Sequence, residues 1–239
     1  MVSDDDLTPD IDTALADWEA LWLPSITSQV FNMQHRRQLH DEFVELLSDG
    51  RPTGGGIFEQ FFHQIYLEAQ TLSVRRQCDK DSRTLSLRRL VGQLEKHRAD
   101  FTRVWYVDRW MEAWRMNHPQ GDADDEEFQR WTANHTFDAY TDLPGDDVLG
   151  HRRLQKDRAA LLEVSKKLID LVNRTIAHAD GRGKIEDVTY AEFHAAMDYV
   201  AAMFERYYLL ISRSSLVSST PVVPLDWLAP FWNSEDGDP

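Results

Sequence analysis

The chain has 239 residues, of which 42% are hydrophobic and 28% charged, an ordinary soluble composition with ample apolar material for one large core. Its formal charge of −15 excludes nonspecific nucleic-acid binding through the overall field, because phosphate affinity rests on clustered Lys and Arg. No apolar run approaches the ~20 residues of a membrane span, Met1 to Asp6 is acidic without a signal-peptide pattern, and the single Cys78 can form neither an intrachain disulfide nor a zinc cluster. The expectation is a cytoplasmic protein with no membrane association and no metal or other cofactor.

Residues 1 to 10 are polar and read as a disordered start. Ile11, Ala14, Leu15, Trp18, Leu21 and Trp22 then follow a helical period up to Pro24, which is expected to stop or kink the helix. A second helix is expected over residues 27–48, with Val30, Phe31, Leu39, Phe43, Leu46 and Leu47 inward, before a Gly-Arg-Pro-rich break at Asp49 to Gly56. The next helix begins near Ile57, and Phe58, Phe61, Phe62, Ile65, Ala69 and Leu72 form its apolar stripe. One more turn along that stripe lies Arg76, and then Asp79. Charges that continue an apolar face need partners. They form either a structural Arg–Asp pair closing the helix, or a cation, Arg75 or Arg76, that reaches a site elsewhere.

Ser82 to Ser86 offer helix caps, and Leu87, Leu90, Val91 and Leu94 mark a short helix. Residues 99–117 are aromatic, with Phe101, Trp105, Tyr106, Trp110 and Trp114. This is core material rather than a base-stacking platform, since only Arg103, Arg109 and Arg115 interleave. Gly121 to Glu127 read as an acidic loop and first helical turn, not a metal site. Phe128, Trp131, His135 and Phe137 form that helix's apolar edge, and Asp142 to Asp147 break it.

A long central helix is expected from Asp147 to Ala179, with Leu161, Val164, Leu168, Leu171, Val172 and Thr175 on one face. A Gly181-Arg182-Gly183 turn follows it. The last long helix opens at Thr189 with a capping-box glutamate, Glu192, and buries Phe193, Met197, Val200, Phe204, Tyr207, Tyr208 and Ile211. Beyond Ser212 to Ser219, the apolar segment Thr220 to Trp232 is expected to lie extended over the bundle, with Trp227 and Trp232 as anchors. The fold class is all-α, a bundle of five or six main helices. One domain spans 11–232, with 98–147 as a helical excursion and 233–239 as a disordered tail.

Arg174 and His178 lie one turn apart on the central helix and project together. An imidazole that titrates near neutrality beside a permanently charged guanidinium suits a phosphodiester. His178 would act as general acid or base in attack of an RNA 2′-OH, and Arg174 would stabilise charge on the phosphorus oxygens, with no metal. The bland alternative is a satisfied structural histidine, with Arg174 and His178 bonded to Asp79 and Asp180.

At this point the chain resembles the HEPN superfamily, and more closely its abortive-infection AbiU-like branch. The resemblance rests on Val172-Asn173-Arg174-Thr175-Ile176-Ala177-His178-Ala179-Asp180, extended by Thr189 to Phe193, Arg206 to Leu210, and Val74 to Ser82 with Leu85-Ser86-Leu87. It implies a HEPN-like helical homodimer with Arg/His pairs facing a shared cleft. It also implies a metal-independent endoribonuclease of antiphage or toxin–antitoxin systems, with a cognate antitoxin as partner. By position, His178 and Arg174 are the catalytic pair, and Asn173, Asp180, Arg75 and Arg76 bind substrate in a local basic cleft. The superfamily places four to six residues between its Arg and His, whereas three stand between Arg174 and His178. Either the site tolerates this spacing, or Arg75 or Arg76 supplies the missing cation, or the chain is a non-catalytic HEPN-like interaction or nucleotide-binding module.

Overall fold

A computed structural model describes residues 10–48, 56–173 and 188–212. The expectations for Arg174, His178, Asp180, the Gly181 to Gly183 turn, and the tail with Trp227 and Trp232 lie outside the described residues. Among the described residues the structure is all-helical and has no strand. The helices are α1 (Ile11–Asp17), α2 (Leu23–Ser48), α3 (Gly56–Gln77), α4 (Leu87–Lys96), α5 (Arg103–Asn117), α6 (Ala123–Phe137), α7 (His151–Leu171) and α8 (Tyr190–Ser212).

Pro24 does not stop the first helix. A π-helical turn at Trp18–Trp22 joins α1 directly to α2. Proline cannot donate the i→i−4 bond, and a wider turn just ahead of it absorbs that loss without a break. Trp18 and Trp22 are buried there, and Trp22 Nε1 donates to Asp17 Oδ2 at 2.9 Å.

Helices α2, α3, α7 and α8 form an up-down-up-down bundle. The pairings that fix these directions are polar. From α2 to α3, Gln29 meets Gln77 and Arg36 meets Ser73, while His40 meets His63. From α7 to α8, Lys167 meets Glu192, and Asp157 meets Arg206. Cys78, just past α3, lies beside Ser165 of α7. One end of the bundle therefore gathers the last turns of α2 and α7 with the first turns of α3 and α8.

Helix α3 turns the opposite way from the apolar-stripe expectation. Ile57 is 86% exposed and Phe61 59% exposed, and Phe58, Ile65 and Leu72 are exposed too. The buried face is Tyr66, Gln70, Thr71, Val74 and Gln77. Its polar members are satisfied across helices: Gln70 Nε2 donates to Met33 O at 2.7 Å, and Gln77 Oε1 accepts from the Leu87 amide at 3.1 Å. A buried amide with both ends bonded costs little, so this side can carry glutamines while Phe58 and Phe61 stay exposed and Phe62 packs half-buried on Phe43. Helix α6 shows a smaller version of the same difference, since Phe128, Trp131 and His135 are exposed while Ala133 and Phe137 are buried.

The segment between α4 and α7 leaves and returns at one point. Thr102 and Val148 form an isolated antiparallel bridge, and the Arg103 amide donates to Asp147 O at 2.7 Å. Between these, α5 and α6 pair as a hairpin whose acidic start is a helix cap: Asp122 and Asp125 form a capping box. Helix α7 begins at His151 rather than Asp147 because residues 147–150 serve this junction. Its cap is remote, since Asp142 accepts from the Arg153 amide at 2.7 Å and the Arg152 amide at 3.3 Å. Gly150 is required there, as a Cβ would come within 2.4 Å of the Asp142 amide nitrogen.

Asp157 is buried in the α7–α8 interface. Its Oδ2 accepts from Arg206 Nη1 at 2.7 Å and Tyr207 Oη at 2.8 Å, and lies 3.3 Å from Arg153 Nε. Removing one partner of a buried charged pair costs several kcal/mol. Asp157→Ala is expected to lower unfolding stability by about 3 kcal/mol, and Asp157→Asn, which keeps an acceptor, by roughly half that. The measurement is the urea midpoint at unchanged slope. An alanine variant within about 0.5 kcal/mol of the parent would mean the cluster does not hold the two helices.

Candidate functional site

Asn173 is the last described residue before the segment that carries Arg174 and His178. It is exposed, while its neighbour Val172 is buried. Leu171 closes α7 against a groove of about 830 Å³ lined by Gln60, His63, Gln64, Leu67, Glu68, Thr71 and Tyr190. The groove thus lies where α7 ends, between the first half of α3 and the start of α8. Thr189 and Glu192 cap α8 reciprocally: the Thr189 amide donates to Glu192 Oε2 at 3.0 Å and the Glu192 amide to Thr189 Oγ1 at 3.2 Å. Glu192 also accepts from Lys167 Nζ at 2.6 Å. The Lys167 hydrogen bond, with the cap bonds behind it, holds the Glu192 carboxyl down at about 2.

Arg75 and Arg76 stand elsewhere. They are exposed and line a separate groove of about 400 Å³ with Ser25 and Gln29 of α2, together with Leu72, Asp79, Thr84 and Leu85. No residue lines both grooves. Asp79 forms no ion pair with Arg76. Its Oδ1 accepts from the Asp81 amide at 2.9 Å and its carbonyl from Ser86 Oγ at 2.6 Å, so it orders the α3–α4 turn rather than clamping an arginine. Asn173 stands two residues past Leu171, which lines the first groove, and Arg75, Arg76 and Asp79 line the second.

The aromatic hairpin offers no cationic platform. Arg103 pairs with Asp138, Arg109 with Glu19, and Arg115 with Glu126. Phe101 and Tyr106 are in the core, and Trp105, Trp110 and Trp114 pack against it.

The residues that sequence reasoning passed over are histidines. His40, only 3% exposed, stacks on Tyr66 with ring centres 3.8 Å apart. Its Nε2 lies 2.8 Å from Nδ1 of His63, which lines the first groove. His194 of α8 lies close by, facing Tyr190. Burial, and then His63, push the His40 imidazole down to about 4, so it is neutral at physiological pH. Burial, followed by the Arg37 charge, also lowers His194. A signal was available: His63, Tyr66, Gln70, Val74 and Gln77 follow a three- and four-residue period, but two of the five are glutamines and the face did not read as apolar.

Among the described residues the chain is an all-helical bundle in which α7 ends beside a groove at one end. A family model for HEPN AbiU2, described as AbiU2, matches residues 51–227, and the chain belongs to that family. No curated protein and no solved structure matches it.

The depressed His40 has a consequence for stability. Its folded value of about 4 lies below the ordinary 6.5, so between these values the unfolded chain binds the extra proton. This contribution is complete above about pH 6.5 and is lost as pH falls toward 4. The urea midpoint is therefore expected to fall from pH 7 to pH 5, and to fall less in His40→Phe. Equal pH dependence in parent and variant would remove His40 from that account.

Proposed function

We propose that the chain is a metal-independent endoribonuclease of HEPN type, acting in antiphage defence or a toxin–antitoxin system. His178 is the general acid–base, and Arg174 stabilises the charge on the phosphate. The observation that carries this reading is the AbiU2 family match, which spans both residues. Asn173 and Asp180 flank them and contact the substrate. Arg75 and Arg76, exposed on the second groove, are available to phosphates along a longer strand. With a net charge of −15, the chain meets RNA only at such local basic points.

A homodimer is part of the same reading. The exposed apolar ridge of α3, with Ile57, Phe61 and Ile65 at four-residue spacing, is the kind of surface a second subunit covers. A cognate antitoxin would silence the enzyme by binding it. Non-catalytic action as an interaction or nucleotide-binding module is the competing reading, favoured by the three-residue Arg–His spacing.

Purified protein is expected to cleave RNA in EDTA and leave 2′,3′-cyclic phosphate ends. His178→Ala with Arg174→Ala is expected to lower the rate by at least about 100-fold, the scale of losing acid–base and charge-stabilising groups. Equal cleavage by the double variant would assign the activity to a contaminant. No cleavage by a folded parent protein would favour the non-catalytic module.

A further inference from the structure

The groove beside Leu171 holds a set of titratable groups to which the Arg174–His178 reading assigns no role. His63 is half-buried and lines the groove. Its only described hydrogen bond runs through Nδ1 to His40 Nε2, at 2.8 Å. His40 is buried, and its Nδ1 has no hydrogen-bond partner although Asp41 Oδ1 lies 3.7 Å away. Tyr190, 47% exposed, closes the groove with its ring. The amides of Gln60 and Gln64 stand on the α3 wall.

Two proton arrangements fit the His40–His63 bond. In one, His40 donates, and its bare Nδ1 lone pair then faces the Asp41 carboxylate. In the other, His63 Nδ1–H donates to His40 Nε2, and His40 Nδ1–H faces Asp41. The second replaces a repulsion with an attraction, and which ring nitrogen is protonated follows from the bond made by the other. His63 Nε2 then presents a lone pair to the groove. One proton from solvent converts His63 into an imidazolium whose Nδ1–H already has its acceptor, so no other bond need change. A ring placed this way binds an anion by taking up one proton at Nε2.

We propose that this groove is a nucleotide subsite. His63 meets a phosphate through Nε2, Tyr190 stacks on the base, and His40 and Asp41 are positioning residues that fix the His63 tautomer. The remaining charged groups around the pair do not cancel this. On α2, Arg37 is engaged by Asp198 of α8. On α3, Tyr66 stacks on His40, and Glu68 accepts from Gln64 Nε2 at 2.9 Å. Between α7 and α8, Lys167 and Glu192 pair with each other, and burial, then the Arg37 charge, disfavour the charged form of His194 of α8. Among the described residues Glu68 is the one carboxylate lining the groove, which favours a ligand held at one phosphate and one base over a long polyanion.

The subsite deepens the ribonuclease reading by naming where a nucleotide of the RNA rests, yet its test does not need cleavage. Imidazole NMR titrations of the full chain are run with inorganic phosphate and with adenosine 3′-monophosphate as probes. Each probe is expected to raise the His63 midpoint by about one unit, equivalent to about tenfold tighter binding to the protonated form. In His63→Gln that pH dependence is lost. In His40→Gln the nucleotide still binds, but the His63 midpoint in its presence falls. Tyr190→Ala weakens adenosine 3′-monophosphate binding severalfold and leaves inorganic phosphate unchanged. A His63 resonance that titrates identically with and without saturating probe in the parent protein would overturn the proposal, whatever the variants do. Probe binding at His63 without RNA cleavage supports the subsite and removes the ribonuclease reading. Cleavage with an unmoved His63 does the reverse.

Discussion

The bundle depends on the burial of one carboxylate. Asp157 sits in the α7–α8 interface and receives hydrogen bonds from Arg206 and Tyr207, with Arg153 one turn away. Two positive groups and a hydroxyl converge on its Oδ2, so the charge is compensated, the condition under which a buried ion is tolerated. The geometry admits one register between the helices. That register sets the end of the bundle at which α7 stops, beside the groove at Leu171. At the far end of the same pair Lys167 and Glu192 repeat the constraint more weakly in solvent, where an exposed pair contributes little.

The helical class, most helix positions, the α8 cap and the core faces of α4, α7 and α8 were legible because each rests on local signals. Ser86, Thr102 and Asp122 cap helices as short polar side chains do. The orientation of α3 was not legible. Its most apolar face lies outside, and its buried face relies on Gln70 and Gln77, whose partners Met33, Gln29 and Leu87 come from other helices. Periodicity weighs a glutamine as polar and cannot see that both ends of its amide are bonded. Pro24 misled for a related reason, since the π turn that absorbs it is not encoded by any residue within one helical turn of standard geometry.

The candidate site shows the same limit. Asn173, Arg174 and His178 stand together in sequence and could be read as a motif. The residues lining the groove at Leu171 come from α3 and, about a hundred positions further on, from α7 and α8, and His40 reaches it by its bond to His63. A histidine pair bridging two helices has no spacing signature. The reverse holds for Arg75, Arg76 and Asp79. They are adjacent in sequence to a readable pattern, yet the fold puts them in a second groove with residues of α2. Sequence proximity to a motif is a weaker guide than the helix face on which a side chain stands.

The central claim is that the working end of this bundle is the one where α7 stops and α8 starts. A crystal structure of the protein bound to a short RNA made uncleavable by 2′-O-methylation at each residue tests it most directly. The account predicts a nucleotide in the groove formed by α3, Leu171 and Tyr190, with a phosphate oxygen within hydrogen-bond distance of His63 and its base against the Tyr190 ring. An oligonucleotide seated only in the Arg75–Arg76 groove, with the Leu171 groove empty, would contradict it.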